Sequence, residues 1–183
     1  HLSDAPLGGT PVQAAEGTLS AMVGAKSEIF KRIEPVIATW AGSIVHIGEI
    51  GDGHRMKLLN NFLSLGYAAL YSEALAISEK VGLSAKRFDS VISGSRMDCG
   101  FYQTFMGYAV GGNREAHKFT LTNGLKDLRY LESMANDAGV ANPIGNAAKN
   151  SFAKACAIGG SGPEDYVPHL VDFVARENGI KTS

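Results

Sequence analysis

The stretch Gly48-Glu49-Ile50-Gly51-Asp52-Gly53-His54-Arg55-Met56-Lys57-Leu58-Leu59-Asn60-Asn61 separates two textures of sequence, and the fold is read outward from it. Toward the N-terminus, Gly8, Gly9, Gly17, Gly24 and Gly42 punctuate short segments at turn-like intervals. Residues 2–7, 19–23 and 43–47 are short, apolar and bounded by breakers, which predicts three strands. Residues 27–39 carry Ile29, Phe30, Ile33 and Ile37 at helical spacing, with Ser27 as the expected N-cap and Pro35 placed to kink the helix. Three short strands fall short of a full sheet domain, since sheets typically hold about five or six.

Toward the C-terminus the segments lengthen and become helical. Residues 55–81 are apolar almost all round and end in Lys80, Val81 and Gly82, a helix stop with a basic last turn. A helix apolar on every side is expected to be buried on every side. Further helices are predicted over 84–92 with Ser84 as cap, 119–138 closed by Gly139, 143–157 ended by Gly159 and Gly160, and 163–177 closed by Gly179. The expected class is therefore mainly α. An all-α C-terminal domain with a long central helix, residues 51–183, follows an α/β segment of residues 1–50.

Composition narrows the function. The chain has 183 residues, 45% hydrophobic and 19% charged, with 17 Lys plus Arg against 18 Asp plus Glu for a net charge of −1. Such a chain folds into a packed core and offers no basic stripe for a phosphate backbone, so nucleic acid is not expected as a partner. The longest apolar stretch, residues 62–77, is interrupted by Ser64, Ser72 and Glu73 and is shorter than the roughly 20 residues a bilayer needs, so no membrane partner is expected. Two cysteines, Cys99 and Cys156, make no disulfide framework, and a reducing, cytoplasmic setting is the simpler expectation. The five histidines show no ligand spacing, so no metal site is expected.

Chemistry concentrates in the opening stretch. On a helix, Lys57, Asn60, Asn61 and Ser64 fall at i, i+3, i+4 and i+7, one polar stripe on an apolar cylinder. A lysine near a helix start shares the positive end of the dipole, and with desolvation this favours its neutral form, as a proton donor or acceptor near neutral pH requires. The spacing equally allows Lys57 to reach solvent while the two asparagines bond a loop. The glycines are not a dinucleotide fingerprint, because position 56 is Met, and not a P-loop, because no Gly precedes the Lys. Elsewhere, Cys99 reads as a loop thiol and His54 as a loop-bonding or surface histidine. Tyr102, Phe105 and Tyr108 read as core or interface, and Glu73 as a buried carboxylate paired locally.

Three segments carry a resemblance. Asp4-Ala5-Pro6-Leu7-Gly8-Gly9-Thr10, then Gly48 to Asn61, then Leu125-Lys126-Asp127-Leu128 are similar in order and spacing to segments of the β-hydroxyacid dehydrogenase family, which includes 3-hydroxyisobutyrate dehydrogenase and tartronate semialdehyde reductase. The resemblance implies hydride transfer between NAD or NADP and a small hydroxy acid or semialdehyde. It implies Lys57 as general acid/base, and Gly8, Gly9, Thr10, Asn60, Asn61, Asp127 and Phe119 as substrate contacts. Lys126 becomes a cofactor contact, and the chain is expected to assemble as a homodimer or homotetramer.

The family's Gly-x-Gly-x-x-Gly loop has no counterpart before Asp4. Residues 1–50 are thus expected to be the last strands and helix of a truncated Rossmann domain, and the 183 residues a fragment without measurable dehydrogenase activity of its own. Many members have Ser-Gly-Gly where this chain has Gly8-Gly9-Thr10. The sulfolactaldehyde reductase branch is also similar, but it carries an Arg at the position of Gly9, and without that guanidinium a bidentate grip on a sulfonate is lost. 6-Phosphogluconate dehydrogenase is a weaker match, with His where this chain has Asn60. From a different class, a helical dimerisation module without catalysis of its own fits the small residues Ala68, Ala69, Ala74 and Ala76.

Overall fold

The computed structural model describes residues 1–180, which form two compact units, residues 1–61 and the chain from Phe62 onward. Each is described by itself.

The first unit holds a three-stranded sheet in the order β1 (Leu7–Gly8), β2 (Leu19–Gly24), β3 (Ala41–Gly48). β1 runs antiparallel to β2, with Leu7 opposite Ala21 and Gly8 opposite Ser20. A short helix, α1 (Pro11–Ala15), joins them. β2 and β3 are parallel, as strands linked by a crossover helix must be, and α2 (Ser27–Ile37) is that crossover. Alternation in β2 sends Leu19, Ala21 and Val23 inward. Ala21, Val23, Ala25, Ile37 and Ala41 make a small core, with Ile29, Phe30 and Ile33 of α2 against it.

Three expectations shift here. Of residues 2–7 only Leu7 is strand, the rest being extended with a single bridge from Asp4 to Gly24. Ser27 is the first helical residue rather than the cap, because Lys26 occupies the cap position without a side-chain bond. Pro35 sits inside a helix that continues to Ile37.

In the second unit, α3 (Asp52–Lys80), which starts in the first, continues from Phe62 and is followed by α4 (Ala85–Ile92), α5 (Gly100–Ala109), α6 (Leu121–Asp137), α7 (Pro143–Ala157) and α8 (Leu170–Glu177). Leu65, Tyr102, Phe105, Leu121, Leu128, Phe152 and Leu170 are fully enclosed, and each such side chain stabilises the unit by roughly 1.5–3 kcal/mol. Enclosing Tyr102 is tolerable because its hydroxyl donates to Asp89 Oδ1 at 2.9 Å. Tyr102 and Phe105 are core, as expected, and Cys99 is an exposed residue whose Sγ caps α5 by accepting from Tyr102 N.

Two expectations about this unit fail. α3 is not buried all round, since Leu63, Leu70 and Ile77, seven residues apart, are 56, 57 and 64% exposed, and Glu73 is exposed as well. Residues 163–177 are not one helix. Pro163 and Glu164 lie in a turn closed by Asp165 N donating to Gly162 O; Phe119 O then accepts from Val167 N and Asp165 O from Leu121 N, and this bridge at Tyr166 separates that turn from the 3-10 turn at Val167–His169 that leads into α8. Phe119 itself precedes α6, whose cap is Thr120, accepting from Asn123 N. Among the described residues no helix is long and apolar enough to cross a membrane.

Candidate active site

The site is built where β3 gives way to α3. A helix start leaves its first amides without intrahelical partners, so the chain must supply acceptors. Asp4 does so for His54 N, while Asp52, the first helical residue, serves the loop before it. Asp52 Oδ2 accepts from Glu49 N at 2.9 Å, and its Oδ1 pairs with Arg55 Nη1 at 2.7 Å. Asp4, 8% exposed, arrives from the far end of the unit's sequence; its Oδ1 accepts from Gly51 N at 2.6 Å and its Oδ2 from His54 N at 2.8 Å. The His54 ring, largely in solvent, brings Nδ1 to 3.1 Å from Asp4 Oδ2.

The room for Asp4 is made by glycine. A Cβ at Gly24 would stand 2.3 Å from Asp4 Oδ1, and one at Gly53 would stand 2.7 Å from Asp4 Oδ2 and 2.3 Å from Met22 O. Asp4 is itself tied into the sheet by reciprocal backbone bonds with Gly24, of 3.0 and 2.8 Å. The first quoted motif therefore braces the second.

One turn further along α3 come the expected catalytic and orienting groups. Lys57 is half-buried and Asn61 is buried at i+4, so both lie on the covered side of the helix, whereas Asn60 is exposed. Of the two candidate asparagines the structure thus places only Asn61 in a covered position beside the lysine's face.

In the first motif, Gly8 stands in β1 opposite Ser20. Gly9 has φ +126, and a Cβ there would meet Leu19 Cδ2 at 2.8 Å, so the position demands glycine. Both the amide and the hydroxyl of Thr10 donate to Gln13 Oε1, at 2.6 and 2.7 Å, making Thr10 the cap of α1. Lys126, Asp127 and Phe119 belong to the helical unit. Lys126 Nζ lies 3.1 Å from Asp127 Oδ1, with the lysine half exposed and the carboxylate largely covered. Phe119 packs partly buried on the helical core, edge-on to His117.

A second polar cluster in the helical unit is structural. The buried His169 takes an N–H from Tyr166 at Nδ1, 3.3 Å, and through Nε2 bonds Arg114 O at 2.9 Å, while burial holds its pKa below the usual histidine range. Beside it the Tyr108 hydroxyl donates to Asp172, and burial pushes that phenol up to about 12. Among the described residues no group of three or more His, Cys, Asp and Glu could hold a metal.

Residues 51–168 match the family model described as "NAD-binding of NADP-dependent 3-hydroxyisobutyrate dehydrogenase". The chain belongs to the β-hydroxyacid dehydrogenase family. Residues 1–48 match the model described as "NAD binding domain of 6-phosphogluconate dehydrogenase". Among members of the family, the chain is 31% identical to a probable 3-hydroxyisobutyrate dehydrogenase of Mycobacterium bovis, over 84% of this chain and 54% of that one. It is 29% identical to a 3-sulfolactaldehyde reductase of Escherichia coli K12, over 86% of this chain and 53% of the reductase. A solved structure of Mycobacterium tuberculosis 3-hydroxyisobutyrate dehydrogenase with L-serine superposes with a TM-score of 0.81 at 29% identity, covering 92% of this chain and 60% of that one. The chain spans about half the length of the curated relatives it matches.

Sequence reasoning quoted Asp4 inside a motif but gave it no role. Its partners lie 47 and 50 residues away, and only an unexplained acid ahead of Pro6 pointed to it.

Proposed function

We propose that this chain supplies the acid/base and substrate-orienting groups of an NAD(P)-dependent oxidoreductase acting on a small β-hydroxy acid of the 3-hydroxyisobutyrate or tartronate semialdehyde type. The observation that carries the reading is the placement of Lys57 and Asn61, covered and one helical turn apart, just after a glycine loop braced by the first motif. When bound, the nicotinamide gives or takes the hydride. Lys57 Nζ donates a proton to the substrate oxygen in the reducing direction and accepts it in the oxidising direction. Asn61 orients the substrate, since an amide both donates and accepts without adding charge.

The residues fit a cofactor in one respect and not in another. Lys126, half exposed and held by Asp127, offers a cation to the cofactor's polar groups. The Gly48 to Gly53 loop is no pyrophosphate cradle, because the amides of Gly51 and His54 already face Asp4. Turnover therefore needs a dinucleotide loop beyond these residues, and the 183 residues assayed alone are expected to be inactive.

At the first motif, Gly9 allows backbone amides to approach an anion, while the Thr10 hydroxyl is already engaged by Gln13. Position 9 is glycine and offers no guanidinium for a bidentate grip on a sulfonate, so a carboxylate substrate is favoured over the sulfonate of the alternative branch.

The test is Lys57→Ala in the intact protein. We expect kcat to fall by roughly 10²–10⁴, the usual contribution of general acid/base catalysis. A second reading, an association module, draws on the exposed seam of Leu63, Leu70 and Ile77 on α3, which suits a homodimer or homotetramer. If Lys57→Ala keeps its kcat and only the association state changes, that reading replaces the enzymatic one.

A further inference from the structure

We infer that Asp4 is the positioning residue of the site: it fixes the first turn of α3, and through it the lysine, and does so without touching substrate. The inference rests on the acid/base role proposed for Lys57.

Gly48 ends β3, Gly51 closes the three-residue loop that follows, and Gly53 stands in the first turn of α3, and glycine has the largest freedom to lose on ordering. Left to itself, such a loop would let the helix start fray over a turn, and Lys57 stands five residues after Asp52, the first residue of α3. Catalysis tolerates little of that, because a displacement of about 1 Å at the reacting group can cost on the order of 100-fold.

Asp4 removes the freedom. One carboxylate takes two amides, Gly51 N just before the helix and His54 N within its first turn, at 2.6 and 2.8 Å. These are charge-assisted bonds, stronger than neutral ones. The carboxylate is nearly enclosed and cannot swing away, since its own backbone is bonded both ways to Gly24. Gly24 and Gly53 have no space for a Cβ, which would meet the Asp4 carboxylate and also Glu49 O or Met22 O, so β2, the loop after β3 and the start of α3 close tightly around the carboxylate. What the arrangement adds is a fixed distance between the sheet, which carries Gly8 and Gly9 in the same motif as Asp4, and the start of the lysine helix.

The experiment is a double-mutant cycle in the intact protein, with Asp4→Asn, Lys57→Ala and the pair, read as kcat and KM well below each variant's Tm. Asp4→Asn keeps the shape but loses an acceptor and the charge. We expect it to lower kcat by about 10- to 100-fold with KM within about twofold of the starting protein, and to have no further effect in the Lys57→Ala background. A merely structural role would lower Tm and leave that kcat unchanged. Asp4→Asn with full kcat overturns the inference, as does a loss that persists undiminished beside Lys57→Ala.

If Asp4→Asn does not fold, Asp4→Ser decides. It is smaller, cannot clash with Gly24 or Gly53, and retains one acceptor, so its kcat should lie between those of the starting protein and Asp4→Ala; equal kcat in all three overturns the inference. Failure of the underlying reading shows separately, as an unchanged kcat in Lys57→Ala alone.

Discussion

The two units solve the problem of order by opposite means. The helical unit encloses large side chains, among them Phe105, Phe152 and Leu128, and its long-range polar contacts, Tyr108 to Asp172 and His169 to Arg114 O, accompany that bulk. The sheet unit has a core of alanines, one valine and one isoleucine, and holds its shape with a buried carboxylate that reaches across some fifty residues of sequence. Apolar bulk gives the helical unit stability without direction. Hydrogen bonds give the sheet unit direction with little bulk, and the groups assigned to chemistry, Lys57 and Asn61, stand in the sheet unit.

The contrast can be broken first at the cores. Phe152→Ala should cost about 3–5 kcal/mol in denaturant unfolding. Val23→Ala should cost on the order of 1.5–2 kcal/mol, two buried carbons at roughly 0.8 kcal/mol each. Equal losses would mean that the sheet unit leans on apolar packing as heavily as the helical one.

A smaller effect tests how tightly the helices interlock. At Gly124 of α6 a Cβ would meet Phe152 Cε1 at 2.8 Å and Leu65 Cδ2 at 3.0 Å, whereas at Gly66 of α3 nothing lies within 4 Å. Gly124→Ala should destabilise by about 1–3 kcal/mol through overpacking. Gly66→Ala should stabilise by roughly 0.5–1 kcal/mol through helix propensity. Opposite signs in Tm are the expected result.

The smallest effect is in pH. Burial lowers the pKa of His169 in the folded chain, so below the unfolded value, near 6.5, the unfolded state binds more protons. Stability is present above that value and declines as pH falls through the folded pKa. The slope between pH 7 and 5 should flatten in His169→Gln, and an unchanged slope would place the titration elsewhere.

What the sequence disclosed followed the range of the interaction involved. α4 and α7 were legible because their signals are local, Ser84 capping one and Pro143 opening the other, and both run as expected. The long helix was legible as a helix, but its apolar circumference could not say which face the chain covers, and Leu70 and Ile77 are open. Pro163 read as a helix start, yet it stands in a turn, and bonds from Val167 N to Phe119 O and from Leu121 N to Asp165 O tie residues 165–167 to the segment before α6 instead. At the site, the i, i+4 spacing put Lys57 and Asn61 on one face of the helix, and both are covered there, whereas the roles proposed for them came from the family resemblance. The exposure of Asn60 was not legible, nor was the role of Asp4, whose partners only the fold brings near.

The central claim, that Lys57 moves the proton, is tested most directly by amine rescue of Lys57→Ala in the intact protein. The expected result is a kcat lowered by roughly 10²–10⁴ and partly restored, in proportion to concentration, by added ethylamine at unchanged KM. A Lys57→Ala enzyme with the kcat of the starting protein would contradict it.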